Sequence, residues 1–247
     1  MACLDGKVAL VTGASSGIGR AIALALAEEG ANLALVARNA ARLDVTARAA
    51  AVFGIKASVF PADLADPHET NRLGEQISST FDGLDILIHA AGAVTSGPLA
   101  ETPTDVLESI LRINTVAPYT ITQIFLPQLI TSRGHIVFIN SRAGFLSFPN
   151  LTQYCASKHA LLAIANGLRQ EVEKDGVRVL SVLSGKVATP LLEAVRKEQG
   201  EDYIPENYLQ PEDVAQVVLT ALMLPDNATM TDVIVAPQGE VRKAGIQ

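Results

Sequence analysis

Residues 7–30 read KVALVTGASSGIGRAIALALAEEG, and the succession of residue types in that stretch decides the fold. KVALVT is a short, unbroken apolar run of the kind that forms a strand buried on both faces. The segment from Gly17 onward carries helical periodicity and stops at Gly30. Between them, TGASSGIG (12–19) places glycines at 13, 17 and 19. Glycines allow a tight turn and close backbone approach. The helix behind them offers free N–H groups and a positive dipole end to a phosphate. Ser15 and Ser16 add hydroxyl donors. A loose glycine pattern alone also describes a turn without a ligand. Placed between a first strand and a first helix, it predicts a dinucleotide site.

The same alternation continues outward. Strand-like runs at 31–37, 55–60, 84–90, 135–140, 177–183 and 231–236 are separated by helical patterns at 39–53, 67–81, 104–131, 151–174 and 211–223. Apolar strands alternating with helices predict an α/β fold: a doubly wound parallel sheet, covered on both faces, with right-handed crossovers. No linker, repeat or low-complexity stretch divides residues 1–247, which read as one domain. Pro118 and Pro127 are expected to bend or break the 104–131 helix. Residues 185–210 show the least pattern and are expected to form a substrate lid.

Bulk composition excludes several functions. The 247-residue chain is 49% hydrophobic, enough for a sizeable core, but no apolar run is long enough for a membrane helix. The N-terminal MACLDGKVALVTG lacks the layout of a signal peptide. A net charge of −7 without a basic stripe argues against nucleic acid. Cys3 and Cys155 have no metal-ligand spacing, and the four histidines (His68, His89, His135, His159) are dispersed. These features suggest a reducing, cytoplasmic setting with no structural disulfide and no metal.

Two chemical features remain. The stripe Tyr154, Lys158, Leu161, Ala165, Leu168, Val172 follows helical spacing and is apolar after its first two members. A phenol and an ammonium one turn apart on an inward face need a reason, because buried lysines are rare without a partner. Ser141 ends the strand at 135–140, and sheets of this kind bind ligands at the carboxyl ends of their strands. Tyr154, Lys158 and Ser141 therefore form a candidate acid–base site, with the cation lowering the cost of ionising the phenol. Cys155 lies about 100° around the helix from Tyr154 and is expected to pack rather than react. The second feature follows the second strand. Where an acid would accept the ribose 2′-hydroxyl of NAD, the sequence reads VARNAAR: Ala37 offers no carboxylate and Arg38 suits the 2′-phosphate of NADP. Asn39 can add a neutral hydrogen bond.

TGASSGIG, HAAG (89–92), Asn114 in RINTVAP, Ser141 and YCASK (154–158) together resemble the short-chain dehydrogenase/reductase family, from about Leu4 to Ala236. The resemblance implies a single Rossmann-type domain with a seven-stranded parallel sheet, and a nicotinamide cofactor. It implies that Tyr154 is general acid in reduction and general base in oxidation, that Lys158 holds the nicotinamide ribose and depresses the tyrosine pKa, that Ser141 orients the carbonyl, and that Asn114 supports a water linking Lys158 to solvent. It assigns Gly13, Ser15, Ser16, Gly17, Ile18 and Gly19 to the phosphates and Asp63 and Leu64 to the adenine. Ala90, Ala91 and Gly92 stand in the family's NNAG tetrapeptide, with Ala90 replacing the second asparagine. Val187 and Thr189 match the carboxamide and phosphate contacts. Ser184 replaces a customary proline, which predicts a less rigid loop. The ending VIVAPQGEVRKAGIQ lacks the glycine-rich tail of tetrameric 3-oxoacyl-carrier reductases. The helices at 104–131 and 151–174 resemble the family's dimer-forming pair, so a homodimer or homotetramer is expected. The expected activity is NADP-dependent reduction of a ketone or aldehyde, with a 3-oxoacyl thioester as a variant. The alternative is an NADP-sensing regulator without catalysis, for which a complete Asn–Ser–Tyr–Lys set would be superfluous.

Overall fold

The computed structural model describes residues 3–238. Seven strands form one sheet: β1 (Val8–Thr12), β2 (Asn32–Ala37), β3 (Ala57–Pro61), β4 (Ile86–His89), β5 (His135–Ser141), β6 (Arg178–Ser184) and β7 (Asp232–Val235). Every neighbouring pair is parallel, in the order β3-β2-β1-β4-β5-β6-β7. The connecting helices are α1 (Gly17–Glu28), α2 (Ala40–Ala51), α3 (Pro67–Ser78), α4 (Thr104–Leu111), α5 (Ala117–Ser132), α6 (Thr152–Val172), α7 (Pro190–Glu198) and α8 (Pro211–Leu222).

Successive strand residues point to opposite faces, so the sheet is the floor of two cores. Ala9 and Val11 face a cluster with Ile22 and Leu26 of α1, Leu43 of α2 and Val214 and Val218 of α8. Leu10 faces the other, with Leu73 of α3, Phe125 and Leu129 of α5 and Leu161 and Ala165 of α6. The α6 stripe read from the sequence is thus buried as expected, and Lys158 with it. Helix α1 ends as its composition dictates: Gly30 takes φ 89°, and the Ala31 N–H returns to the Leu26 carbonyl at 3.0 Å. The strand order reverses between β1 and β4, and the crevice opened there lies at the strands' carboxyl ends. No helix among the described residues is long and apolar enough to cross a membrane.

Two local expectations are corrected. Pro127 does not break its helix: α5 runs through it to Ser132, held by the fully buried Phe125 and Leu129 on either side. The interruption lies earlier, in a π-helical turn at Arg112–Val116, where the Ala117 N–H reaches back five residues to the Arg112 carbonyl. That wider turn leads into Pro118 in the first turn of α5. Residues 185–210 are also more regular than their composition suggests. Thr189 caps α7, its Oγ1 accepting from Leu192 N at 3.2 Å, with Pro190 at the first helical position. Val187 bridges to Leu209.

At the opposite sheet edge, Asp85 ties two strands to β4. Its Oδ2 accepts from Val8 N at 2.9 Å, and its backbone carbonyl accepts from His135 N at 2.8 Å. The accompanying ion pair with Lys7 is half exposed and contributes little. Asp85→Ala leaves the Val8 N–H without its acceptor and should lower unfolding stability by about 1–3 kcal/mol in a denaturant titration, whereas Asp85→Asn, which keeps an acceptor oxygen, should lose less than half as much.

Candidate active site

The glycine turn is built by exclusion. A Cβ on Gly13 would lie 2.8 Å from the Ala90 carbonyl and Ala91 nitrogen, and one on Gly19 only 2.4 Å from the Gly13 oxygen. Gly13 and Gly17 also take positive φ, 70° and 52°. Beneath the turn, the buried Thr12 hydroxyl accepts from Ala90 N at 3.1 Å and Ala91 N at 3.2 Å. Thr12 thus joins the end of β1 to the end of β4. The sequence reading did not single it out, although a hydroxyl at the last strand position before the glycines was the available signal.

Above this floor lies a cleft of about 710 Å³. Gly13, Ser15, Ser16, Gly17, Ile18 and Gly19 line it at one side, Arg38, Asn39, Asp63 and Leu64 at the adenosine end, and Ala90, Ala91, Gly92 and Thr189 along β4 and β6. Neither Ser15 nor Ser16 spends its hydroxyl on another described residue, and Ser16 stands at the N-cap of α1 without a side-chain bond. Asn39 Oδ1 accepts from Arg42 N at 2.9 Å and so caps α2, which leaves its amide N–H groups to donate to a ligand. Arg42, missed in the sequence, also lines the cleft. Val187 is buried and does not line it.

Beyond Gly92 stand the four candidate catalytic residues. Asn114 projects from the π-helical turn, fully buried; its Oδ1 accepts from Ala93 N at 2.8 Å, and its Nδ2 donates to Ala93 O at 2.9 Å and Ser157 Oγ at 3.0 Å. Ser157 in turn donates to the Tyr154 carbonyl at 2.7 Å, so the π turn grips the first turn of α6. Ser141 ends β5; its hydroxyl accepts from Ala143 N at 3.1 Å and stands beside the Tyr154 phenol, whose ionised form it favours. The Lys158 ammonium donates to the Ile139 carbonyl at 3.1 Å and lies 6.0 Å from the centre of the Tyr154 ring. Cys155 is buried, as expected.

Burial raises the Tyr154 phenol above its ordinary value, against a smaller opposing pull from the Ser141 hydroxyl. Desolvation also lowers Lys158 to about 8.

The chain is matched over residues 7–200 by the family model described as short chain dehydrogenase. It belongs to the short-chain dehydrogenase family. An uncharacterized oxidoreductase of Staphylococcus aureus (strain N315) is 35% identical over 238 residues, 96% of this chain and 100% of that protein. Among solved structures, L-sorbose reductase from Gluconobacter frateurii, complexed with NADPH and L-sorbose, superposes with a TM-score of 0.87 at 27% identity, covering 95% of this chain and 97% of that one. A metagenomic short-chain oxidoreductase in complex with NADP gives a TM-score of 0.83 at 29% identity over 96% and 99%.

Besides Ala90, Ser184 and His89 depart from the short-chain dehydrogenase pattern. Ser184, in place of proline, pairs in register with Ser141, and its hydroxyl donates to the Asn140 carbonyl at 3.3 Å. His89, in place of asparagine, is buried, stacks on Phe138 and bonds Thr122 Oγ1 through Nε2 at 2.9 Å. Desolvation lowers its pKa from 6.5 to about 3. At pH 7 the ring is neutral in folded and unfolded chains alike. Below 6.5 the unfolded chain takes up a proton that the folded chain refuses until about 3, so stability falls with pH across that window. At about 1.36 kcal/mol per unit, wild type should lose roughly 2–3 kcal/mol more between pH 7 and pH 4.5 than His89→Asn, in denaturant titrations of both proteins.

Proposed function

We propose that this short-chain dehydrogenase is an NADP-dependent reductase of ketones or aldehydes with Tyr154 as general acid. One observation carries the reading: the Ser141 hydroxyl stands beside the Tyr154 phenol, and the buried Lys158 ammonium, one helical turn on, lies close to Gly92 at the end of the cleft. A substrate carbonyl oxygen held by Ser141 and Tyr154 would receive the phenolic proton as the carbonyl carbon is reduced. NADPH, when bound, supplies the hydride. The phenol is protonated at neutral pH, as a general acid must be. Lys158 would replace the proton and hold the nicotinamide ribose, and Asn114 would support the relay. Thr189, which lines the cleft, would contact the cofactor phosphates.

Three further features support the cofactor and substrate class. Ala37 and Arg38 at the end of β2 favour a 2′-phosphate over a free hydroxyl. Val94, Phe145, Leu146, Phe148, Leu191, Leu192 and Tyr203, which would line the substrate side by analogy with the family, are apolar or aromatic, which fits an aliphatic or aromatic carbonyl, or a 3-oxoacyl thioester, better than a polyol. Val116, Tyr119 and Ile130 are exposed on and just before α5 and suit a homo-oligomer through that helix.

The test is a panel of ketones, aldehydes, a ketose and 3-oxoacyl thioesters with each cofactor. NADPH should exceed NADH by roughly 10–100-fold in kcat/KM, as expected for a charge-assisted phosphate contact. Ala37→Asp with Arg38→Leu should reverse that order, mainly through KM. Tyr154→Phe should keep cofactor binding and lose at least about 100-fold in kcat. Retention of more than half the activity by Tyr154→Phe, or equal use of both cofactors by wild type, overturns the reading.

A further inference from the structure

Helix α2 begins against the ordinary electrostatic rule. The positive end of a helix favours carboxylates in its first turn and disfavours cations there. The first turn of α2 contains no acid. It holds Arg42 at its third position, and Arg38 directly precedes the capping Asn39. Both arginines are exposed, and among the described residues neither guanidinium has a hydrogen-bond or ion-pair partner. Left to themselves, two cations and a helix N-terminus repel one another. They share one neighbour, the dinucleotide cleft, which both arginines line. Asp63 is the one acid on that lining, and its Oδ1 accepts from Ala65 N at 3.0 Å.

The backbone of Arg42 is fixed relative to the glycine turn. Asn39 Oδ1 takes its N–H at 2.9 Å. The Thr46 hydroxyl contacts both the Arg42 carbonyl, at 3.3 Å, and the Ala14 carbonyl, at 3.0 Å. Leu43, the next residue, is fully buried. The root of the Arg42 side chain is therefore as well placed as the phosphate-binding turn itself.

We propose that Arg42 is the second arm, with Arg38, of a two-arginine clamp on the 2′-phosphate of NADP(H), and a further determinant of cofactor specificity. The inference rests on the NADP reading above. A phosphate dianion presents three acceptor oxygens, so two planar guanidinium groups can hold it at once. An anion there also removes the repulsion between the cations and the helix end.

Binding to the full-length protein tests this without turnover. Calorimetric titration should compare adenosine 2′,5′-bisphosphate with adenosine 5′-monophosphate, which lacks only the 2′-phosphate. Wild type should bind the bisphosphate at least about 10-fold more tightly. Arg42→Ala should lose about 10-fold for the bisphosphate, change less than about 2-fold for the monophosphate, and show a shallower salt dependence. Arg48→Ala, on the same helix but away from the cleft, should match wild type. An Arg42→Ala protein that keeps wild-type affinity for the bisphosphate, or that weakens equally for both ligands, overturns the clamp while leaving the NADP reading intact. A wild type that does not distinguish the two ligands overturns both.

Discussion

The carboxyl edge of this sheet depends on one constraint: the glycine turn must lie directly on the backbone that follows β4. Gly13 meets the Ala90–Ala91 peptide and Gly19 meets the Gly13 carbonyl at distances that leave no room for a Cβ. Thr12 completes the junction by giving one hydroxyl to two successive N–H groups. The floor of the cleft is consequently backbone rather than side chain. Its shape is set by covalent geometry and cannot be altered by a rotamer change.

From that floor the site extends in two directions with different electrostatics. Toward the adenosine it is exposed and cationic, and its energies depend on solvent screening. Toward the reacting end it is dry. There Asn114, Ser157 and the Tyr154 carbonyl form a continuous hydrogen-bonded chain, and burial displaces both Tyr154 and Lys158 toward their neutral forms. The same burial that makes the lysine costly to charge keeps the phenol protonated. The unequal pair is thus a product of placement on the inner stripe of α6, not of any direct bond between the two groups.

Most of this architecture was legible in the sequence because it rests on period. Unbroken apolar runs, the glycine turn and the α6 stripe each report a local geometry: four of the seven strands fall within the runs that announce them, and β3, β5 and β6 extend one residue beyond theirs. What escaped notice rests on relations across the fold. Proline content suggested a broken helix at Pro127, where tertiary packing against Phe125 and Leu129 holds the helix together instead. The pairing of Ser184 with Ser141 depends on strand register, which single-chain patterning does not reveal. Thr12 and Arg42 are unremarkable residue types until the fold shows what they face. For α7 the signal was present, a Thr-Pro start, but was outweighed by the irregular composition around it.

The π-helical turn at Arg112–Val116 has a consequence for how this region of the chain can change. Such a turn accommodates an extra residue within a helix, so α5 leaves it rotated relative to a simple continuation of α4. A straight helix one residue shorter could in principle restore the register needed to pack α5 on the sheet. It would satisfy the core and still withdraw Asn114 from Ala93 and Ser157. The length of this segment therefore sets three hydrogen bonds of a fully buried side chain at once, and a more regular helix would give up the contact between this turn and α6.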